Sequence, residues 1–365
     1  MQKKKVLILT SGKTGGHRSS SDAIKAAILE LDPELEVNDK DAFEFYKVYK
    51  GEDFAYQALT TKYRYFWKFI FEFGSFFKRM TNFFFYIASS KKFKKFLVEY
   101  KPDIILSVHP CFAGSVRMAL KKIKLDIPFC TCIIDLVKHN KTWHDKKGAL
   151  TFVPTAKMKE YLIKKGFKAD RVIHSGFPIG DKFSGINKIV KDKIEIPNVL
   201  MVAPSLKNRK YNLKLIKATL KHNVNLTVVT ANNKKLKKYL DKKLAGACNV
   251  AIEGFVYDMP ARLASADLLI AKAGPNMILE AVKMGVPVLV SGFILGQEEK
   301  NHQYIEDNGY GFRADTPKKL DRALTRLFDN DYELLKQMSE NTKNCTDLKG
   351  GDIVAKHLVE LLNYT

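Results

Sequence analysis

Short runs of apolar residues recur along the chain, separated by charged segments long enough to be helices. The runs are Val6–Thr10, Ile104–Val108, Phe129–Ile134 and Leu150–Val153, then Val199–Val202, Leu226–Val229, Val250–Ile252, Leu268–Ile270 and Val286–Val290. Runs this short, without polar alternation, predict strands covered on both faces, and the segments between them predict the covering helices. The pattern is that of an α/β protein with a parallel sheet in each half. Turn-forming residues from Gly176-Phe177-Pro178-Ile179-Gly180 to Pro197 interrupt it and predict a boundary there, giving a first domain over 1–182 and a second over 190–345. Asp352–Leu362 has helical apolar spacing, and a terminal helix over 350–365 is expected to pack back on the first domain.

One segment does not fit the alternation. From Phe54 to Lys95, 16 aromatic residues and nine Lys or Arg fall in 42 positions, with Glu72 as the only acid. Trp67, Phe76 and Phe77 stand among Lys68, Lys78 and Arg79, and Lys91, Lys92, Lys94 and Lys95 close the segment. Aromatic rings for the headgroup zone, flanked by cations for anionic lipid, predict an interfacial membrane surface. An aromatic core with a basic rim, or a single-strand nucleic acid surface, is the alternative for this segment. The charge balance agrees with an anionic partner: 62 Lys and Arg oppose 39 Asp and Glu, and residues 1–185 carry +15 of the net +23.

No window reaches 18 uncharged apolar residues, so no membrane span is expected. The apolar run after the basic start is too short for a signal peptide. Five irregularly spaced cysteines do not suit a disulfide framework, and point to a reducing, cytoplasmic setting.

Two constellations carry chemistry. After the first strand, Gly15-Gly16-His17 opens a helix. Glycines at such a turn let backbone N–H groups approach a phosphate or substrate oxygen, and a histidine just inside a helix N-terminus has its charged form disfavoured, so it stays available as a base. Gly12-Lys13-Thr14 lacks the upstream glycine of a P-loop. In the second half, Lys272-Ala273-Gly274-Pro275-Asn276 turns a strand into a proline-started helix suited to a diphosphate, with Glu280 inside it for ribose hydroxyls. The loop after the next strand, Gly296-Gln297-Glu298 to Asn301, offers polyol-type hydrogen bonds at a strand's carboxyl end. The eight histidines form no ligand-spaced cluster, and a metal-free reaction is expected.

Read together, His17 with its double glycine, Ser107-Val108-His109-Pro110, Asp135-Leu136 with Thr142-Trp143, Phe152-Val153-Pro154-Thr155, Gly254-Phe255-Val256, Lys272–Pro275 and Gly296–Glu298 resemble, in order, the monogalactosyldiacylglycerol synthase family. The resemblance covers nearly the whole chain. It implies a GT-B fold, with two Rossmann-like domains whose parallel sheets face a cleft, and a peripheral, monotopic enzyme on the inner face of the cell membrane. The implied reaction is inverting transfer of galactose or glucose from a UDP-sugar to diacylglycerol, with anionic membrane lipids as further partners and no nucleic acid. A lipid-linked GlcNAc-transferase, or a non-catalytic nucleotide-sugar or lipid binder, would share these motifs.

By resemblance, His17 is the general base and Asp135 a candidate to orient it. Donor contacts fall to Gly16, to the backbone at Phe255 and Val256 for uracil, to Lys272, Ala273, Gly274, Pro275 and Asn276 for the diphosphate, to Glu280 for ribose, and to Gly296, Gln297, Glu298 and Asn301 for the sugar. Trp143 belongs to the acceptor side. Three departures stand out: Thr14 replaces the family's first glycine, Ala203-Pro204-Ser205-Leu206-Lys207 replaces a glycine-rich loop, and the acceptor-side motif around Lys138–Trp143 is displaced.

Overall fold

The computed structural model describes residues 3–12, 15–45, 58–183, 185–186, 188–189, 194–203 and 208–363. The chain divides into two compact units: residues 1–59, 63–181 and 346–365, and residues 60–62 and 182–345.

The first unit is built on six parallel strands, β1 (Lys5–Thr10), β2 (Glu36–Asp41), β3 (Ile104–Ser107), β4 (Phe129–Cys132), β5 (Thr151–Val153) and β6 (Val172–His174). Their order is β2-β1-β3-β4-β5-β6. Helices α1 (Gly16–Leu31), α2 (Arg64–Phe76), α3 (Lys78–Tyr100), α4 (Ala113–Ile123) and α5 (Ala156–Lys164) connect them. One core places Leu7, Leu9 and Ile105 of the central strands against Phe93 and Leu97 of α3 and Val116 and Leu120 of α4. Each such side chain contributes about 1.5–3 kcal/mol when fully withdrawn from water. Leu9 pairs with Ser107, and the Val108 N–H donates to the Leu9 carbonyl at 2.9 Å, so the loops leaving β1 and β3 start side by side.

The second unit repeats the scheme with β7 (Asn198–Val202), β8 (Asn225–Val229), β9 (Val250–Glu253), β10 (Leu268–Lys272), β11 (Val288–Gly292) and β12 (Gly311–Arg313). All pairings are parallel, in the order β12-β11-β10-β7-β8-β9. Its helices are α6 (Arg209–Thr219), α7 (Lys234–Lys243), α8 (Met259–Ser265), α9 (Pro275–Lys283), α10 (Asn301–Asp307), α11 (Pro317–Phe328) and α12 (Glu333–Lys343). The last helix, α13 (Gly350–Asn363), lies against α1 of the first unit. At its start, a Cβ on Gly350 would overlap the backbone of Phe177 and Pro178, so glycine is needed where the helix begins against that segment, whereas Gly351 faces the Ala23 carbonyl of α1 at ordinary contact distance.

Three strands escape the apolar pattern: β2, β6 and β12. All are edge strands, where one side of the ladder meets solvent and a continuous apolar run is not required. In each sheet the chain reverses its direction of growth once, between β1 and β3 and between β7 and β10. Ligands of open α/β sheets bind at the carboxyl ends of such strand pairs, and the two candidate constellations leave β1 and β10.

Candidate active site

In the first unit, Gly15 precedes α1 at φ +101°, and nothing lies within 4 Å of the place a Cβ would take. Conformation, and not space, requires glycine here. The turn delivers His17 to the first turn of α1. Its Nδ1 lies 2.6 Å from the carbonyl oxygen of Val108. A carbonyl only accepts, so Nδ1 carries the ring proton and Nε2 the lone pair. Burial pushes the His17 pKa down to about 4, against the opposing effect of the Val108 carbonyl. The imidazole is therefore neutral at physiological pH and has a defined tautomer.

His109, just beyond β3, stands against it with ring centroids 4.5 Å apart and planes at 58°. The Cys111 N–H donates to His109 Nδ1 at 3.3 Å, which leaves the His109 proton on Nε2. Burial first, and the neighbouring His17 second, hold His109 neutral well below the usual imidazole range. Phe43 packs edge-on to His109 at 5.2 Å. It is placed by Asp41, whose two oxygens accept from the N–H groups of Phe43 and Gly12, each at 3.0 Å. The motif Ser107–Pro110 was visible in the sequence, but no role attached to His109. The available signal was a histidine following the strand that pairs with β1 at the switch point.

Asp135 does not orient His17 through Nδ1, because the Val108 carbonyl occupies that nitrogen. Asp135 is buried and accepts from the Trp143 indole N–H at 2.9 Å. Trp143 is itself wholly buried, with its ring 6.4 Å from that of His17. It packs near His17 and presents no surface to a membrane.

In the second unit, Lys272 ends β10 and Ala273-Gly274 leads into α9, with Pro275 at its first position and Asn276 next. Lys272 is ion-paired with Glu298. The second Glu298 oxygen accepts from the Ile294 N–H at 3.0 Å, and Asn301 Nδ2 donates to the Ala273 carbonyl at 2.9 Å. A Cβ on Gly274 would come 2.8 Å from Lys272 Nζ, so only glycine leaves the ammonium in place. Glu298 and Asn301 were expected on sugar hydroxyls. Both are buried and bind protein groups, tying the loop after β11 to the turn after β10. Gln297, half-buried, stands on that loop beside Gly296, which adopts φ +82°.

Glu280 is buried on α9; burial raises its pKa to about 7, with the Lys182 ammonium, 4.0 Å away, opposing. Phe255 and Val256 follow the edge strand β9, three strands from β10, a separation of roughly 14 Å at the usual strand spacing. The structure thus joins Lys272, Gly274, Glu298 and Asn301 in one cluster, with Phe255 and Val256 apart from it. Pro204–Lys207, Lys13 and Thr14 lie outside the described residues.

The expectation of a metal-free reaction passed over two Asp-x-Asp triplets, Asp39-Lys40-Asp41 and Asp329-Asn330-Asp331. Asp39 pairs with Arg18 and Lys25, Asp41 holds the two N–H groups above, and Asp331 pairs with Lys336. Among the described residues, no group of three or more His, Cys, Asp or Glu could hold a metal ion.

The aromatic segment forms α2 and α3. Phe71, Phe93 and Leu97 turn inward, whereas Phe66, Phe69, Phe76, Phe77, Phe83 and Phe84 are exposed, Phe76 to 75%. Lys91 and Lys92 are exposed on α3. Trp67, expected among the membrane contacts, is only half-exposed. Phe54 lies outside the described residues. Among the described residues, no helix is long and apolar enough to cross a membrane.

Residues 184–345 match the family model of glycosyl transferases group 1. Residues 17–179 match that of monogalactosyldiacylglycerol (MGDG) synthase. The chain is 28% identical to monogalactosyldiacylglycerol synthase 1, chloroplastic, of Arabidopsis thaliana, over 93% of this chain and 67% of that protein. Identity to the spinach synthase (Spinacia oleracea) is 28%, over 93% and 69%. Among solved structures, MurG of Acinetobacter baumannii superposes with a TM-score of 0.64 at 14% identity, over 99% of this chain and 100% of that one. A UDP-GlcNAc 2-epimerase of Neisseria meningitidis gives 0.64 at 15%, over 99% and 100%. At these identities the structures speak for the shared two-domain fold alone. Fold and family models together define a GT-B glycosyltransferase. Within that class, residues 17–179 carry the monogalactosyldiacylglycerol synthase domain, and the chain is similar over 93% of its length to a plant monogalactosyldiacylglycerol synthase.

Proposed function

We propose that the chain transfers galactose or glucose from UDP to the free hydroxyl of diacylglycerol, with inversion, at a membrane surface. The observation that carries this reading is His17: a neutral imidazole of fixed tautomer, at the switch point of the first sheet, inside the domain that matches the MGDG synthase model. In the reaction, His17 Nε2 takes the hydroxyl proton while the acceptor oxygen forms a bond to the anomeric carbon. The bond from that carbon to the UDP oxygen breaks, and its electron pair leaves with the diphosphate. The Val108 carbonyl, bonded to Nδ1–H, stabilises the imidazolium so formed.

On the donor side, the positive end of α9 and Lys272 meet the diphosphate, so that no metal ion is required to neutralise it. Glu298 holds Lys272 in place for this. Glu280 meets the ribose hydroxyls, Gln297 the hexose, and the backbone at Phe255 and Val256 the uracil. The exposed rings of α2 and α3, with Lys91 and Lys92, bring the enzyme to its water-insoluble acceptor on the cytoplasmic face of the membrane.

The test is product analysis. Purified protein is given UDP-galactose, UDP-glucose or UDP-GlcNAc with vesicles containing diacylglycerol, and the lipid is examined by mass spectrometry and anomeric NMR. A β-hexosyl diacylglycerol is expected, with UDP released only when acceptor is present. Transfer of GlcNAc alone, or no product from any donor, would overturn the reading.

A further inference from the structure

Resting on that reading, we infer that His109 is a second acceptor-binding residue, whose Nε2–H donates to the ester carbonyl beside the hydroxyl that His17 deprotonates, so that the site selects acyl esters. The two imidazoles meet at 4.5 Å and are held in opposite tautomers by backbone groups. Val108 accepts from His17 Nδ1, and Cys111 donates to His109 Nδ1. One ring therefore offers a lone pair at Nε2 and the other an N–H. Neither Nε2 has a hydrogen-bond partner among the described residues, and both residues are only partly buried, which leaves the pair open to a ligand.

The pair distinguishes two oxygens on one molecule. A hydroxyl can give its proton to His17, whereas His109, already accepting at Nδ1, can only donate, and matches an oxygen that only accepts. An ester carbonyl two carbons from a primary hydroxyl supplies that arrangement. The walls fit the same class: the partly exposed Phe43 packs on His109 at 5.2 Å and would meet the hydrocarbon next to the ester, while Phe112, buried in the core, backs the ring at 4.8 Å. His109 moves no proton in this scheme.

The experiment compares kcat/KM for 1,2-diacylglycerol with that for the 1,2-dialkyl ether of equal chain length in the same vesicles. The ether keeps the hydroxyl and the chains but lacks the carbonyl. Wild-type enzyme should prefer the ester by roughly tenfold, the effect of one hydrogen bond in a dry site. His109→Phe should bring the ratio close to one, chiefly through KM for the ester. His109→Gln, which retains a donor, should restore much of it. UDP affinity by calorimetry and the thermal midpoint serve as controls for folding.

A preference that survives in His109→Phe overturns the inference while leaving the proposed reaction intact. So does a wild type that uses both lipids equally, a result that decides the matter even if the Phe variant fails to fold. A wild type that glycosylates neither lipid overturns both readings.

Discussion

A histidine serves as a base at neutral pH by being kept neutral until the substrate arrives. For His17, burial and the start of α1 disfavour the charge, and the Val108 carbonyl chooses which nitrogen is free. With a pKa of about 4, His17 gains its proton only as pH falls through that value. At saturating donor and acceptor, turnover should therefore stay level from pH 8 to about 5 and decline below, as followed by UDP release. His17→Ala should lower turnover by roughly 10²–10⁴-fold while UDP binding survives. Glu280 works in the opposite direction. Burial raises its pKa to about 7, so as pH rises through that value it changes from a carboxylic acid that also donates into a carboxylate that would accept more strongly from both proposed ribose hydroxyls. UDP affinity by calorimetry should increase between pH 6 and 8, and Glu280→Gln should remove the increase. The placement of His17 just after a glycine turn, and of Glu280 inside the helix that follows another, was legible in the sequence because both turns leave a strand's carboxyl end. The engagement of Glu298, Asn301 and Asp135 was not, because residue type shows what a carboxylate or amide can bind but not whether protein groups already occupy it.

Among the elements, the interior strands could be read because both of their faces need apolar residues, and the edge strands β2, β6 and β12 could not because an edge does not demand such a run; β9, also at an edge, could be read because it keeps the short run Val250–Ile252. The packing of α13 on α1 was signalled by apolar spacing, while the fit of its first residue, Gly350, against the backbone of Phe177 and Pro178 is something the spacing does not reveal. Gly350→Ala should lower stability by about 1–3 kcal/mol, the usual range for a side chain forced into filled space, since its Cβ meets backbone atoms that cannot rotate away. Chemical denaturation checks this. Gly15→Ala should cost about 1–3 kcal/mol by a different route, because φ +101° with ψ −176° is a conformation essentially confined to glycine although no atom is in the way. In the donor unit, the α9 terminus and Lys272 are assigned the work of a metal. Hydrolysis-free sugar transfer should therefore proceed unchanged in excess EDTA; loss there, with recovery on Mg²⁺ or Mn²⁺, would contradict that assignment.

The charge of the whole molecule is uneven, with most of the net +23 in the half that holds the exposed rings of α2 and α3. A protein without a crossing helix among its described residues can reach a lipid acceptor by two contributions that respond differently to salt. Ring insertion depends on apolar area and is not screened, whereas each Lys or Arg near an anionic surface contributes about 1 kcal/mol that weakens as salt shortens the Debye length. Composition alone left this segment open between core and surface. The structure separates the rings: Phe71 and Phe93 are buried, Phe76 and Phe84 exposed. Replacing Lys91, Lys92, Lys94 and Lys95 with Gln should weaken flotation with anionic vesicles and flatten its salt dependence, leaving neutral vesicles little affected. Replacing Phe76 and Phe77 with Ser should weaken binding to both kinds of vesicle, with little change in the thermal midpoint because these rings support no core. Phe71→Ser should do the reverse, lowering the midpoint with unchanged flotation per folded molecule. If the Phe76/Phe77 variant floats as wild type does, the membrane surface lies elsewhere on the molecule.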